Sequence, residues 1–176
     1  MNRSFIILIT VPDPKSLSGQ RLLHRSIFHH GHFTSSLTLV PRTPTSSELS
    51  AASMSDEMDT ETIIPESPPY QILMTTQTGS LALITPLNEQ VYRRLQVLQT
   101  QLVNTLDHAC GLNPRAYRAA ESDGMGGRGM LDGTLLRRWT ELGSQRKAEM
   151  AGRVGVANWV VRGDLDMIGG GGLGYL

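Results

Sequence analysis

The residues best suited to chemistry in this chain are arginines and their neighbours. Arg93 and Arg94 stand side by side, as do Arg137 and Arg138, while Arg115, Tyr117 and Arg118 form a third group. A guanidinium is a planar fork that grips phosphate or carboxylate through two parallel hydrogen bonds. The same side chain therefore serves nucleic acid and acidic protein partners alike. Single-stranded RNA also needs aromatic faces on which its bases can stack. Tyr92, Tyr117 and Trp139 are the aromatics that accompany these arginines. The chain holds 16 basic and 16 acidic residues, for a formal net charge of +0, and only 5% aromatics. It has no global positive field to draw in RNA or DNA. That balance favours protein partners, or pairing within the chain to acids such as Glu89, Glu121 or Glu141.

Other chemical readings carry less. His29, His30 and His32 offer imidazoles to a metal, but no Cys or carboxylate lies close by to complete a tetrahedral set. A plain loop is expected there. Gly124, Gly126, Gly127 and Gly129 lack the Gly-Lys-Ser/Thr ending of a phosphate loop, and no strand feeds them. The glycines at 169–172 have no room for a following helix, so they are no dinucleotide fingerprint. Cys110 is the single cysteine, which excludes an intramolecular disulfide and suits a reducing compartment. There is no Ser-His-Asp signature, no Cys-x-x-Cys and no His-Glu-x-x-His. No catalytic residue, metal or cofactor is expected.

The elements that must position the arginines follow from periodicity. Val91, Leu95, Leu98, Leu102 and Leu106 recur every three or four residues and line one helix face. Asn88 is its expected cap, with Glu89 in the first turn where the helix dipole favours a negative charge. Gly111 is expected to end the helix in the left-handed conformation, with Pro114 preventing continuation. Asp132 is expected to cap a second helix through Leu142, although Gly133 weakens its first turn, with Leu135, Leu136, Trp139 and Leu142 on its apolar face. Ser144 opens a third helix through Val154. Residues 156–168 form a last one, with Trp159, Val160 and Ile168 the candidates for burial.

The first part of the chain reads as strands. Residues 5–11 are an apolar run rich in β-branched isoleucine, expected as a buried strand. Residues 21–28 and 33–40 are two more, the second alternating Leu37 and Leu39 with Ser36 and Thr38. Residues 71–76 and 80–85 flank Gln77, Thr78 and Gly79, a hairpin turn. All are expected in one antiparallel sheet. Between them, residues 42–69 are dominated by Ser, Thr, Pro and acids, too poor in large apolar side chains to offset the entropy of ordering. No stretch is long enough to span a membrane. The division is therefore strands at 1–41, a disordered linker at 42–69, a hairpin of the same sheet at 70–87, and a helical domain at 88–176.

Several of these residues also carry a resemblance. Tyr92-Arg93-Arg94-Leu95, Leu98-Gln99 and Gly111-Leu112-Asn113-Pro114-Arg115-Ala116-Tyr117-Arg118 resemble the C-terminal region of the large subunit of the cleavage and polyadenylation specificity factor, most like its fungal members. Leu131-Asp132-Gly133, Leu135-Leu136 and Asp164-Leu165 follow in the same order, and the stretch from Ser16 to Arg25 and Thr78-Gly79-Ser80 fit upstream. The resemblance implies an α+β chain: incomplete, propeller-derived antiparallel strands followed by a small C-terminal helical domain. It implies a non-enzymatic nuclear scaffold in messenger-RNA 3′-end cleavage and polyadenylation. Its implied partners are a WD-repeat subunit and a zinc-finger subunit, with pre-mRNA as a further partner. Two alternatives stand beside it. One is the related three-propeller adaptor of the damaged-DNA-binding or splicing-factor type; the other is a small RNA-binding protein.

Limited proteolysis is expected to cut first within 42–69 and leave 70–176 as the larger product. Protection of 42–69 alongside cleavage elsewhere would overturn this division.

Overall fold

The strands fall into two sheets and the helices into one packed cluster, in a computed structural model that describes residues 4–42, 70–113 and 129–169. Of the expected linker only Arg42 is described, and it is buried; residues 43–69, the glycines at 124–127 and the tail beyond 169 lie outside the described residues.

Strand β1 (Ser4–Pro12) pairs antiparallel with β2 (Gln20–His29), with a register shift between Ile7 and Leu8. The turn between them is built locally. Asp13 accepts the Lys15 amide on its side chain (2.9 Å), and Gly19 takes a φ of 70°. Strand β3 (Thr34–Pro41) pairs not with β2 but with β4 (Tyr70–Thr76), which pairs in turn with β5 (Leu81–Ile84). The single sheet expected from the sequence is thus two: β1-β2 and β3-β4-β5. Alternation tells a strand which face it buries, but it does not tell it which neighbour to choose. The β4–β5 hairpin is as expected. Gly79 supplies its positive φ of 81°, and the Thr76 hydroxyl binds Ser80 through both the amide (3.1 Å) and the hydroxyl (2.7 Å).

The histidine turn is tied to its surroundings by hydrogen bonds. The His32 amide donates to His30 Nδ1 (3.3 Å), and His32 Nδ1 lies 3.2 Å from the Thr78 hydroxyl. Among the described residues no group of three His, Cys, Asp or Glu side chains is placed to hold a metal ion.

Helix α1 (Glu89–Thr105) starts where the sequence says. Asn88 Oδ1 accepts the Val91 amide at 2.8 Å. It ends earlier than expected. Leu106 is already extended, and Gly111, with its φ of 69°, closes a separate 3-10 turn (Ala109–Gly111) instead. The last turn of α1 finds another partner: His108 Nε2 lies 2.9 Å from the Val103 carbonyl, one of the orphan acceptors of a helix end.

Helix α2 (Gly133–Arg137) runs into a 3-10 turn (Arg138–Glu141). Asp132 caps it, accepting from the Thr134 and Leu135 amides at 3.0 and 3.4 Å. Helices α3 (Ser144–Val154) and α4 (Asn158–Ile168) follow.

These four helices bury one apolar cluster. It comprises Val91, Leu95, Leu98, Leu102 and Val103 from α1, Leu135 and Leu136 from α2, then Trp139, Met150, Ala151, Val161, Leu165 and Met167. Leu106 and Leu142, expected in the core, are half-buried and pack against it. On α4 the expectation holds for Ile168, which is half-buried against the core, and fails for Trp159, which is 76% exposed; Val161, Asp164 and Leu165 face inward.

Leu136 is fully buried and Val97, on α1, is 45% exposed. Leu136→Ala is expected to cost about 2–5 kcal/mol, by lost transfer energy plus a cavity. Val97→Ala is expected to stay within about 0.5 kcal/mol. Urea unfolding of the two variants checks where the core lies.

Candidate functional site

Three of the six sequence-selected arginines, Arg94, Arg137 and Arg138, bond to acceptors contributed by other elements of the same chain. Arg94, expected on a solvated face of α1, meets Asp164 of α4 in a two-pronged pair: Nε donates to Oδ2 and Nη2 to Oδ1, both at 2.9 Å. The side chains retain 26% and 9% of their accessible surface. Its hydrogen bonds to the Asp164 carboxylate raise the Arg94 pKa; burial opposes this, and the attraction of the carboxylate adds to it. The guanidinium is charged at every physiological pH.

Arg137 Nη2 donates to the Gly169 carbonyl at 2.8 Å, so a cation sits at the C-terminal end of α4 where the helix dipole is negative. A Cβ at Gly169 would come within 3.1 Å of that same nitrogen, so the close approach uses the glycine. Arg138 Nη2 donates to the Asp107 carbonyl at 3.0 Å, just past the end of α1. Arg93 meets Glu89 at 2.8 Å, as the sequence suggested, but the pair is about three-quarters exposed. Such an i,i+4 pair contributes roughly 0.3–0.5 kcal/mol. Arg115, Tyr117 and Arg118 lie outside the described residues.

The accompanying aromatics are also engaged. The Tyr92 hydroxyl accepts the Gly129 amide at 2.9 Å. Trp139 is 3% exposed, with Lys147 Nζ 5.5 Å above its ring. That ammonium also donates to the Thr140 carbonyl at 2.7 Å. Gln99, about two turns along the same face of α1 from Tyr92, accepts the Asp132 amide at 2.7 Å. Residues 129–132 are therefore held against α1 at two points seven residues apart.

Three of these partners were not singled out as site residues by the sequence: Asp164, Gln99 and Tyr92 in its hydroxyl role. A signal for Asp164 existed. Val161, Leu165 and Ile168 set the inward face of α4, and Asp164 falls on it. An acid on a buried face requires a cation. No such periodic signal marks Gln99, whose partner is a backbone amide.

The residues that tie the helices together are thus largely those that carried the resemblance. Comparison with known proteins agrees. The family model described as the CPSF A subunit region matches residues 2–141. The chain belongs to this family. The CPSF A relatives include Protein cft1 of Aspergillus niger, 60% identical over 93% of this chain. Protein CFT1 of Coccidioides immitis is 55% identical over 90%, and that of Candida albicans 32% over 81%. The fungal, large-subunit type read from the sequence holds. The chain spans about a tenth of the length of these relatives, at 12%, 11% and 10%. Within the CPSF A family model fall β1 to β5, α1 and α2; α3 and α4 lie beyond its end.

Removing either member of the Arg94–Asp164 pair strands the other on a largely buried surface. Arg94→Met and Asp164→Leu are each expected to cost about 3 kcal/mol, and the double variant less than the two single costs combined. Arg94→Lys is expected to fall between, because an ammonium cannot reproduce the fork. Denaturant unfolding of the four variants checks this. Additive single effects would show that the pair is not coupled.

Proposed function

We propose that this chain is a scaffolding portion of the nuclear machinery that cleaves and polyadenylates messenger-RNA precursors. The observation that carries this is the use of its arginines. Arg94, Arg137 and Arg138 bond to acceptors of the same chain, which builds a framework rather than a phosphate-binding surface. Family membership supplies the process: the match is to the CPSF A subunit region, and cleavage and polyadenylation is the work of that factor. The strands are read as propeller-derived, and the helices as the domain that follows the propeller. The scaffold is non-enzymatic, and its partners are the WD-repeat and zinc-finger subunits of the complex.

Co-purification tests the reading. The tagged chain, expressed in a filamentous fungus and recovered from nuclease-treated nuclear extract, is expected to bring down 3′-processing subunits. Recovery of ubiquitin-ligase or splicing subunits instead would favour the related three-propeller adaptors. Recovery of no subunit of any of these complexes would overturn the scaffold.

A further inference from the structure

Trp159 lies in the first turn of α4 and is 76% exposed, against 60% for Leu112 and 45% for Val97. Val161, Asp164, Leu165 and Met167 fill the inward face of the helix, so the indole is turned away from the core. An aromatic side chain of this size carries a large apolar area that gains from being covered. We propose that it is covered by the last residues of the same chain, with Leu173, Tyr175 and Leu176 folding back along α4 onto the indole. This goes beyond the scaffold reading and does not depend on it.

The outward face of α4 leaves a lane for that return. Trp159, Gly163 and Asp166 are exposed at steps of four and three, so they share a face. Gly163 stands midway, and a Cβ added there would meet nothing within 4 Å, so a second backbone can lie close to the helix. Beside the indole, Val156 and Val160 are half-buried and extend the apolar patch. The reach is sufficient. From Gly169 back to Trp159 the helix runs about 15 Å at 1.5 Å per residue. An extended chain gains about 20 Å between Gly169 and Tyr175, which leaves about 5 Å for the reversal. Gly170, Gly171 and Gly172 stand where the chain must reverse, and glycine takes positive φ without steric cost.

Composition and tethering decide the occupant. Residues 170–176 carry no charged side chain, so covering the indole with them takes no side-chain charge out of water. Leu173 and Tyr175 are two apart, which puts both on one side of an extended segment, and Gly174 between them adds no bulk to the other. A phenol ring offset on an indole is a favoured aromatic pair. The tether holds these residues near the patch at an effective concentration on the order of millimolar. A second copy of the chain reaches the same patch only at that bulk concentration. Gly152 and Gly155, at the corner beside the indole, are exposed, and a Cβ added at either would meet nothing within 4 Å, so no side chain blocks the landing.

The two tryptophans make the test direct. Trp139 is 3% exposed, so acrylamide quenching of the full chain's emission reports Trp159. Leu173→Gly, Tyr175→Gly and Leu176→Gly together are expected to raise the quenching constant roughly twofold, since they uncover an aromatic ring, while circular dichroism stays unchanged. Deleting Gly170, Gly171 and Gly172 keeps every apolar residue but cuts the reach to Tyr175 to about 10 Å, short of the indole, and is expected to uncover it equally. Trp159→Phe leaves only the emission of Trp139, whose quenching is expected to be the same with and without the tail substitutions. Equal quenching in the full chain and in the glycine-substituted chain overturns the proposal, as does shielding that survives the deletion. Shielding lost on dilution also overturns it, in favour of a second copy. None of these outcomes bears on which subunits co-purify.

Discussion

A bidentate pair between Arg94 and Asp164 joins the first long helix to the last, across seventy residues of sequence. Its partners are too buried to be left alone and too well matched to be indifferent. Two parallel hydrogen bonds fix both the spacing and the roll of α1 against α4, which nonspecific apolar contact does not. Around that fixed line the leucines of α1 interleave with Leu135, Leu136 and Trp139. The cost of drawing two charges from water is offset only while the geometry holds. The core packing and the pair therefore depend on each other.

Many of the remaining polar ties of the helical cluster are of one kind: a side chain answers a backbone group that the helices leave open. Asn88 and Asp132 take amides at the starts of α1 and α2. Arg137, Arg138 and Lys147 take carbonyls at or beyond helix ends, and His108 sits against another. Tyr92 and Gln99 hold the chain as it returns to α2. With short helices, such as the five residues of α2, end groups are a large share of all backbone groups. A small helical cluster in a chain with only 5% aromatics thus gains definition from caps and forks as well as from its apolar core.

Periodicity made most elements legible. The apolar stripe of α1, the Asn88 and Asp132 caps, the span of α3 and the Gly79 hairpin are all visible in local spacing. What failed was non-local. The end of α1 at Thr105 was hidden because Leu106 continues the stripe, while the extended Leu106 and the 3-10 turn after it stop the helix first. Trp159 was assigned inward on hydrophobicity alone, although Asp164 on the same helix takes an inward place that Arg94 makes tolerable. The division into two sheets was likewise beyond local pattern, since β3 could pair either way by its alternation. The carbonyls that Arg137 and Arg138 meet have no sequence signature, whereas the acid that meets Arg94 falls on the inward face of α4 and was legible there.

The pairing of β3 with β4 has a further consequence for engineering the chain. Pro41 and Tyr70 are register partners, so the chain leaves β3 and enters β4 at neighbouring points. The ends of such an excursion are held by the ladder, whatever lies between them. Because closure entropy grows only logarithmically, doubling its length costs about 0.6 kcal/mol. The β3–β4 junction is thus a natural port for grafting: an epitope, a fluorophore-bearing module or a whole folded domain with adjacent termini can be spliced in there, leaving the helical cluster and its arginine fork untouched.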